Sequence, residues 1–131
     1  MVAGSEQRCY NGASMGTLRR YGERVEERRV VLRESLRRFV SVCRQKDEVR
    51  AVYVFGSSAS SKIGPTSDLD VLVVRETNLR FWDRGDDLRR ESDVDVRLDL
   101  IVVTPDEYAH QLHQTSFGQT ILGSARCVYA A

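Results

Sequence analysis

Proline is scarce in this chain. Pro65 sits in a Gly-Pro turn, Pro105 opens a helix, and none interrupts the stretch from Thr17 to Lys46. Cysteine is nearly as sparse: Cys9, Cys43 and Cys127 are odd in number, far apart, and form no C-x-x-C. That argues against a disulfide framework or a zinc knuckle, leaves three thiols without a special role, and fits a reducing cytoplasm. No apolar run approaches the length of a membrane span, and the longest, Leu98 to Val103, already contains Asp99. A basic start followed by an apolar stretch is also missing, so no secretory leader is expected.

What remains is an ordinary globular composition. Apolar residues are 41% and charged residues 30% of 131, enough for one domain with a real core. The net charge of +1 hides an asymmetry: residues 1–50 carry +5 and residues 51–131 carry −4. A basic first part beside an acidic second part suits either an acidic partner or a solvated helix on a domain that gathers carboxylates.

Residues 1–16 are small and polar and read as a disordered lead-in, with a single domain over 17–131. From Thr17 to about Lys46 the pattern predicts one long helix. Leu32, Leu36, Phe39, Val40 and Cys43 form its apolar stripe, and Glu34–Arg38 an i,i+4 pair. Ala51–Phe55 and Asp68–Val74 read as buried strands, the second covered on both faces. A helix from Leu79 to Glu91, capped by Asn78, and a third strand from Val94 to Val103 follow. Thr104-Pro105-Asp106-Glu107 then has the capping-box spacing of a helix start, with the helix running to about Gln114. A short helix near Phe117–Leu122 and an extended piece at Cys127–Tyr129 end the chain. Alternating helices and strands around an apolar sheet predict an α/β (α+β) layered domain.

The chemistry concentrates at Gly56-Ser57 and, after ten intervening residues, Asp68-Leu69-Asp70. Residues i and i+2 of a strand share a side, so Asp68 and Asp70 present two carboxylates together beside a loop. A hard cation relieves their repulsion, and Mg²⁺ commonly takes one or two carboxylates plus substrate phosphates. The alternative is that both cap the preceding loop. A glycine after a buried strand lets the backbone approach a ligand, and the Ser57 hydroxyl and loop amides can donate to phosphate. Asp99, inside the apolar run, is preferred to Asp95 as a third carboxylate, because an unpaired charge there is costly.

Phe55-Gly56-Ser57, Ser67-Asp68-Leu69-Asp70-Val71 and Leu98-Asp99-Leu100 together resemble the polymerase-β-like nucleotidyltransferase superfamily. The short length resembles its minimal members, which often pair with HEPN-domain proteins as antitoxins. The resemblance spans about Arg50 to Tyr108. It implies a small mixed sheet flanked by helices, with the long N-terminal helix added. It implies that Gly56, Ser57 and Ser67 line the site of a nucleoside triphosphate. Asp68 and Asp70 would bind two Mg²⁺ ions, and Asp99 would complete the second metal site and help deprotonate the acceptor. Transfer of NMP, AMP from ATP, to a protein hydroxyl is the implied activity. A small-molecule transfer of the kind that modifies aminoglycosides, or a catalytically weak interaction module, are the alternatives. The partner would be HEPN-like or a second copy. Where many minimal members have arginine and glycine in the loop, Ser60 and Ser61 stand here, which implies either a weaker phosphate grip or a charge supplied by Lys62 instead.

Other residues carry less. His110 and His113 could hold metal but read as part of a polar helix face. Phe81 and Trp82 could stack on a base but read as core. The arginines of the first helix are interleaved with Glu23, Glu26, Glu27 and Glu34, which makes a solvated face a better reading than a nucleic-acid surface.

Overall fold

The computed structural model describes residues 11–59 and 63–131. Residues 1–10 of the expected lead-in, and Ser60, Ser61 and Lys62 of the loop, lie outside the described residues. The elements run α1 (Asn11–Arg44), β1 (Val49–Val54), β2 (Leu69–Arg75), α2 (Asp86–Ser92), β3 (Leu98–Val103), α3 (Pro105–His110), α4 (Ser116–Ser124) and β4 (Arg126–Ala130). The four strands form one mixed sheet in the order β3-β2-β1-β4. β1 is antiparallel to β2 and to β4, and β2 is parallel to β3. This is the expected mixed sheet flanked by helices, with a long first helix. Among the described residues, no helix is long and apolar enough to cross a membrane.

The stripe on α1 packs where its spacing predicts: Leu32, Phe39 and Cys43 are buried, and Leu36 and Val40 are half-buried beside them. They meet Val52, Val54, Leu69, Val71 and Val73 of the sheet, together with Leu88 of α2. The opposite face buries Leu72, Val74 and Val103 under Ile121 of α4, with Tyr53 and Tyr108 stacked at 5.6 Å. β2 is therefore covered on both sides, which is why its apolar run is unbroken.

Three local expectations need correction. The helix read from Leu79 to Glu91 is instead a 3₁₀ turn at Phe81–Asp83 followed by α2, which starts only at Asp86. Gly85 at its N-cap lies against β3, where a Cβ would stand 2.5 Å from Leu100 Cδ2. The third strand starts at Leu98 rather than Val94, because Asp93 turns the chain with φ 43 as the left-handed cap of α2. The helix from Pro105 stops at His110, and a separate 3₁₀ turn follows at Leu112–Gln114. The Thr104–Glu107 capping box itself forms in full.

One polar knot joins these layers. Arg75, at the end of β2 and 6% exposed, donates both terminal nitrogens to Asp87 at 2.8 Å and one of them to Glu48 at 2.9 Å. Lys46 reaches Asp87 at 3.3 Å and Glu91 at 3.0 Å, tying α2 to the end of α1.

Candidate active site

Parallel pairing of β2 and β3 sets Asp70 directly beside Asp99, just as Leu72 stands beside Ile101. Side chains alternate along a strand, so both carboxylates emerge on the face carrying Leu72 and Val103. Asp68 precedes β2 by one residue and adds its charge nearby. The Asp70 carboxyl is pushed up to about 6, first by burial, then by its hydrogen bond with Asp99 and the negative charges of Asp99 and Asp68. Asp99 is 45% exposed and lies 3.4 Å from the Arg97 guanidinium. Asp95 is 84% exposed and pairs instead with Arg38 at 3.6 Å.

β1 delivers the glycine turn to the same place. Phe55 N–H donates to the Asp70 carbonyl at 3.1 Å, and the chain then turns at Gly56 with φ 64. Gly56 begins a 3₁₀ turn, Gly56–Ala59, that carries Ser57. The Gly56 N–H donates to Ser124 Oγ at 3.2 Å, so the end of α4 borders the turn. Ser67 closes the loop from its far side, its hydroxyl accepting from Gly64 N–H at 2.8 Å.

A divalent cation fits the donor set that converges here. Asp70, half-buried, and Asp99, more exposed, are a pair of hard oxygen donors, and burial followed by the neighbouring Asp99 raises the Asp70 carboxyl. Two carboxylates completed by phosphate oxygens are a usual Mg²⁺ complement. Among the described residues, no three His, Cys, Asp or Glu side chains already stand at metal-holding distance. The pair is preformed, and Asp68 sits at its margin.

The other sequence candidates separate from this centre. His110 and His113 fall in different helical pieces, with His110 only 3.9 Å from Asp106 on the surface. Trp82 and Phe81 are not core: they are 83% and 45% exposed, because the turn that bears them precedes α2 and stands outside the sheet. Glu34 pairs with Arg37 rather than Arg38. Arg38 turns inward to the Ser92 and Asp93 carbonyls, capping the end of α2, a role that local spacing does not signal. Arg75 is likewise absent from the sequence expectations, although an arginine closing an apolar strand run marks a charge that needs buried partners.

Comparison with known proteins adds to this geometry. The family model described as "Polymerase beta, Nucleotidyltransferase" matches residues 38–129. No curated protein matches the chain. Among solved structures, a protein from Sulfolobus solfataricus provisionally described as a nucleotidyltransferase is similar, with TM-score 0.60 and 19% identity. That likeness covers 82% of this chain and 87% of the other. A toxin–antitoxin structure with AMP-PNP is also similar, with TM-score 0.50 and 19% identity over 72% of this chain and 73% of that one. At such identities the likeness speaks for the fold.

Proposed function

This chain belongs to the polymerase beta nucleotidyltransferase family, and from that premise we propose that it transfers AMP from ATP to a hydroxyl of a protein partner. The partner would be a HEPN-like toxin that the chain restrains as an antitoxin. The observation that carries the proposal is the side-by-side placement of Asp70 and Asp99 next to the Gly56 turn. A carboxylate pair of this kind, against backbone that a ligand can approach closely, suits a metal–triphosphate complex.

In this reading the Ser57 hydroxyl and the amides of the turn that Gly56 opens donate to the triphosphate, and Ser67 and Lys62 are its further ligands. Asp68, Asp70 and Asp99 would hold Mg²⁺, which would neutralise phosphate charge and stabilise the attacking and departing oxygens. Asp99, on the exposed side of the pair, accepts the proton of the acceptor hydroxyl. The oxygen then attacks the α-phosphorus in line, the bond to the bridging oxygen breaks, and pyrophosphate leaves.

A second reading has the chain as an interaction module with weak catalysis, neutralising its partner by binding. It is favoured by Ser60-Ser61 in place of the arginine and glycine of related loops. Labelled ATP, Mg²⁺ and a candidate partner, with wild type and Asp68→Ala/Asp70→Ala, separate the two. Label transfer by wild type alone supports the enzyme. Neutralisation by both proteins without label would sink it.

A further inference from the structure

Ser124 ends α4, and the strand pairing that follows delivers it to the glycine turn. β1 and β4 run antiparallel with Val54 opposite Arg126, so Gly56, two residues beyond Val54, meets Ser124, two residues before Arg126. Helix packing leads to the same point. Ile121 of α4 is buried with Leu72, on the sheet face from which the Asp70 carboxylate emerges, and Ser124 follows Ile121 by nearly one helical turn. Gly56 N–H donates to the Ser124 hydroxyl at 3.2 Å. The hydroxyl's own proton has the Ile121 and Thr120 carbonyls as acceptors, at 3.4 and 3.5 Å, which leaves a lone pair for Gly56.

This bond contributes little to the fold. Ser124 is exposed, and water would satisfy the Gly56 N–H in its place. Its consequence is for the geometry of the turn. Phe55 N–H is held by the Asp70 carbonyl at 3.1 Å, and the next N–H along the chain by Ser124. Together the two bonds fix the peptide plane from which the chain enters Gly56 at φ 64. Glycine has no Cβ to limit its rotation, so the fixed plane selects one course for the turn. The Ser57 hydroxyl and the amides of that turn all lie downstream of it.

We propose that Ser124 is a positioning residue of the nucleotide site: it holds the Gly56 peptide so that the turn meets the triphosphate already in shape. This rests on the nucleotidyl-transfer reading and adds to its site a residue 68 positions away in the chain. Ser124 acts through Gly56 and not on the phosphate. A turn ordered before the ligand arrives spares binding the cost of ordering it, so the bond matters more to affinity than to stability.

The test titrates the full chain with Mg–ATP by calorimetry, beside urea melts and amide hydrogen exchange. Ser124→Ala should weaken Mg–ATP binding about tenfold, with the urea midpoint of the ligand-free protein unchanged. Ser124→Thr keeps the hydroxyl and should bind as wild type does. Without ligand, the Gly56 amide should exchange faster in Ser124→Ala than in wild type or Ser124→Thr. Unchanged binding by Ser124→Ala overturns the proposal. So does tighter binding, which would mean that phosphate competes with Ser124 for the Gly56 N–H. A urea midpoint that falls in step with affinity would make the bond structural, and Gly56 exchange that stays at the wild-type rate would assign Ser124 to the phosphate itself; either overturns it, as does Ser124→Thr binding as weakly as Ser124→Ala. With Mg–ATP bound by wild type, each of these removes this inference alone. Absence of Mg–ATP binding by wild type removes the underlying reading along with it.

Discussion

Gly56 lies so close to the Asp70 carboxylate that a Cβ on it would stand 2.6 Å from Oδ2. The turn also holds φ at 64, where a side chain is strained whatever the space around it. Backbone conformation and carboxylate position are thus fixed together, and both need glycine.

Gly56→Ala should therefore damage the site more than the fold. The left-handed backbone costs about 1–2 kcal/mol, readable as a lower urea midpoint. Displacement of the Asp70 carboxylate should reduce Mg–ATP binding far more than that loss of stability accounts for. Calorimetric titration of the folded variant with Mg–ATP checks this, and wild-type affinity would show that Asp70 tolerates the shift.

Asp70→Asn should have opposite effects with and without ligand. Burial and the neighbouring Asp99 and Asp68 disfavour the Asp70 charge, so removing it should stabilise the ligand-free protein by about 1 kcal/mol once solvent screening is allowed for. Mg–ATP should then stabilise wild type by about 2.7 kcal/mol at a hundredfold excess over Kd, read as a higher melting temperature, and leave the variant unmoved. A variant less stable than wild type without ligand would mean that Asp70 is structural.

Much of the fold was legible because it is local. The α1 stripe, the unbroken β2 run and the Thr104–Glu107 capping box each follow from spacing within a few residues. What was misread depends on contacts across the sheet. Gly85 falls inside the helix expected over Leu79 to Glu91, but it lies against Leu100 at the start of α2, and this leaves Trp82 outside. Period-two alternation could put Asp70 and Asp99 each on one side of its own strand. Their register is a tertiary fact, since α2 intervenes in the chain between β2 and β3. Nothing local showed that Arg38 would cap α2, or that Arg75 would find Asp87 and Glu48.

The Arg75 knot should show in the acid limb of stability. Asp87 is held well below the usual carboxylate range, first by its hydrogen bonds from Arg75 and further by Lys46. A carboxyl depressed in the folded state contributes stability above its ordinary value near 3.8, and loses that contribution as pH falls toward the folded value. Asp87→Asn should thus cost about 2–3 kcal/mol at pH 7, because it leaves the buried guanidinium short of a partner. The gap between variant and wild type should narrow as pH drops below 3.8. Denaturant melts from pH 7 downward measure it, and a constant gap would mean that packing rather than charge is lost.

Cys43 tests whether the α1 stripe is sealed. Its thiol is fully buried between α1 and the sheet, and burial pushes it up to about 12, which outweighs the opposing pull of Arg75 and Lys46. Thiolate is the reactive form, so Cys43 should be inert at neutral pH on both counts, access and ionisation. Cys127 on β4 is exposed and should react at once. In a Cys9→Ser/Cys127→Ser background, a thiol reagent such as dithiobisnitrobenzoate should give no colour change until urea unfolds the chain. The rate of labelling below the midpoint should then follow the population of unfolded molecules. Phe39→Ala in the same background empties the neighbouring buried site at a cost of about 3–5 kcal/mol, and should speed labelling in proportion to that loss. Labelling that speeds up without a matching fall in global stability would mean that α1 opens from the sheet on its own.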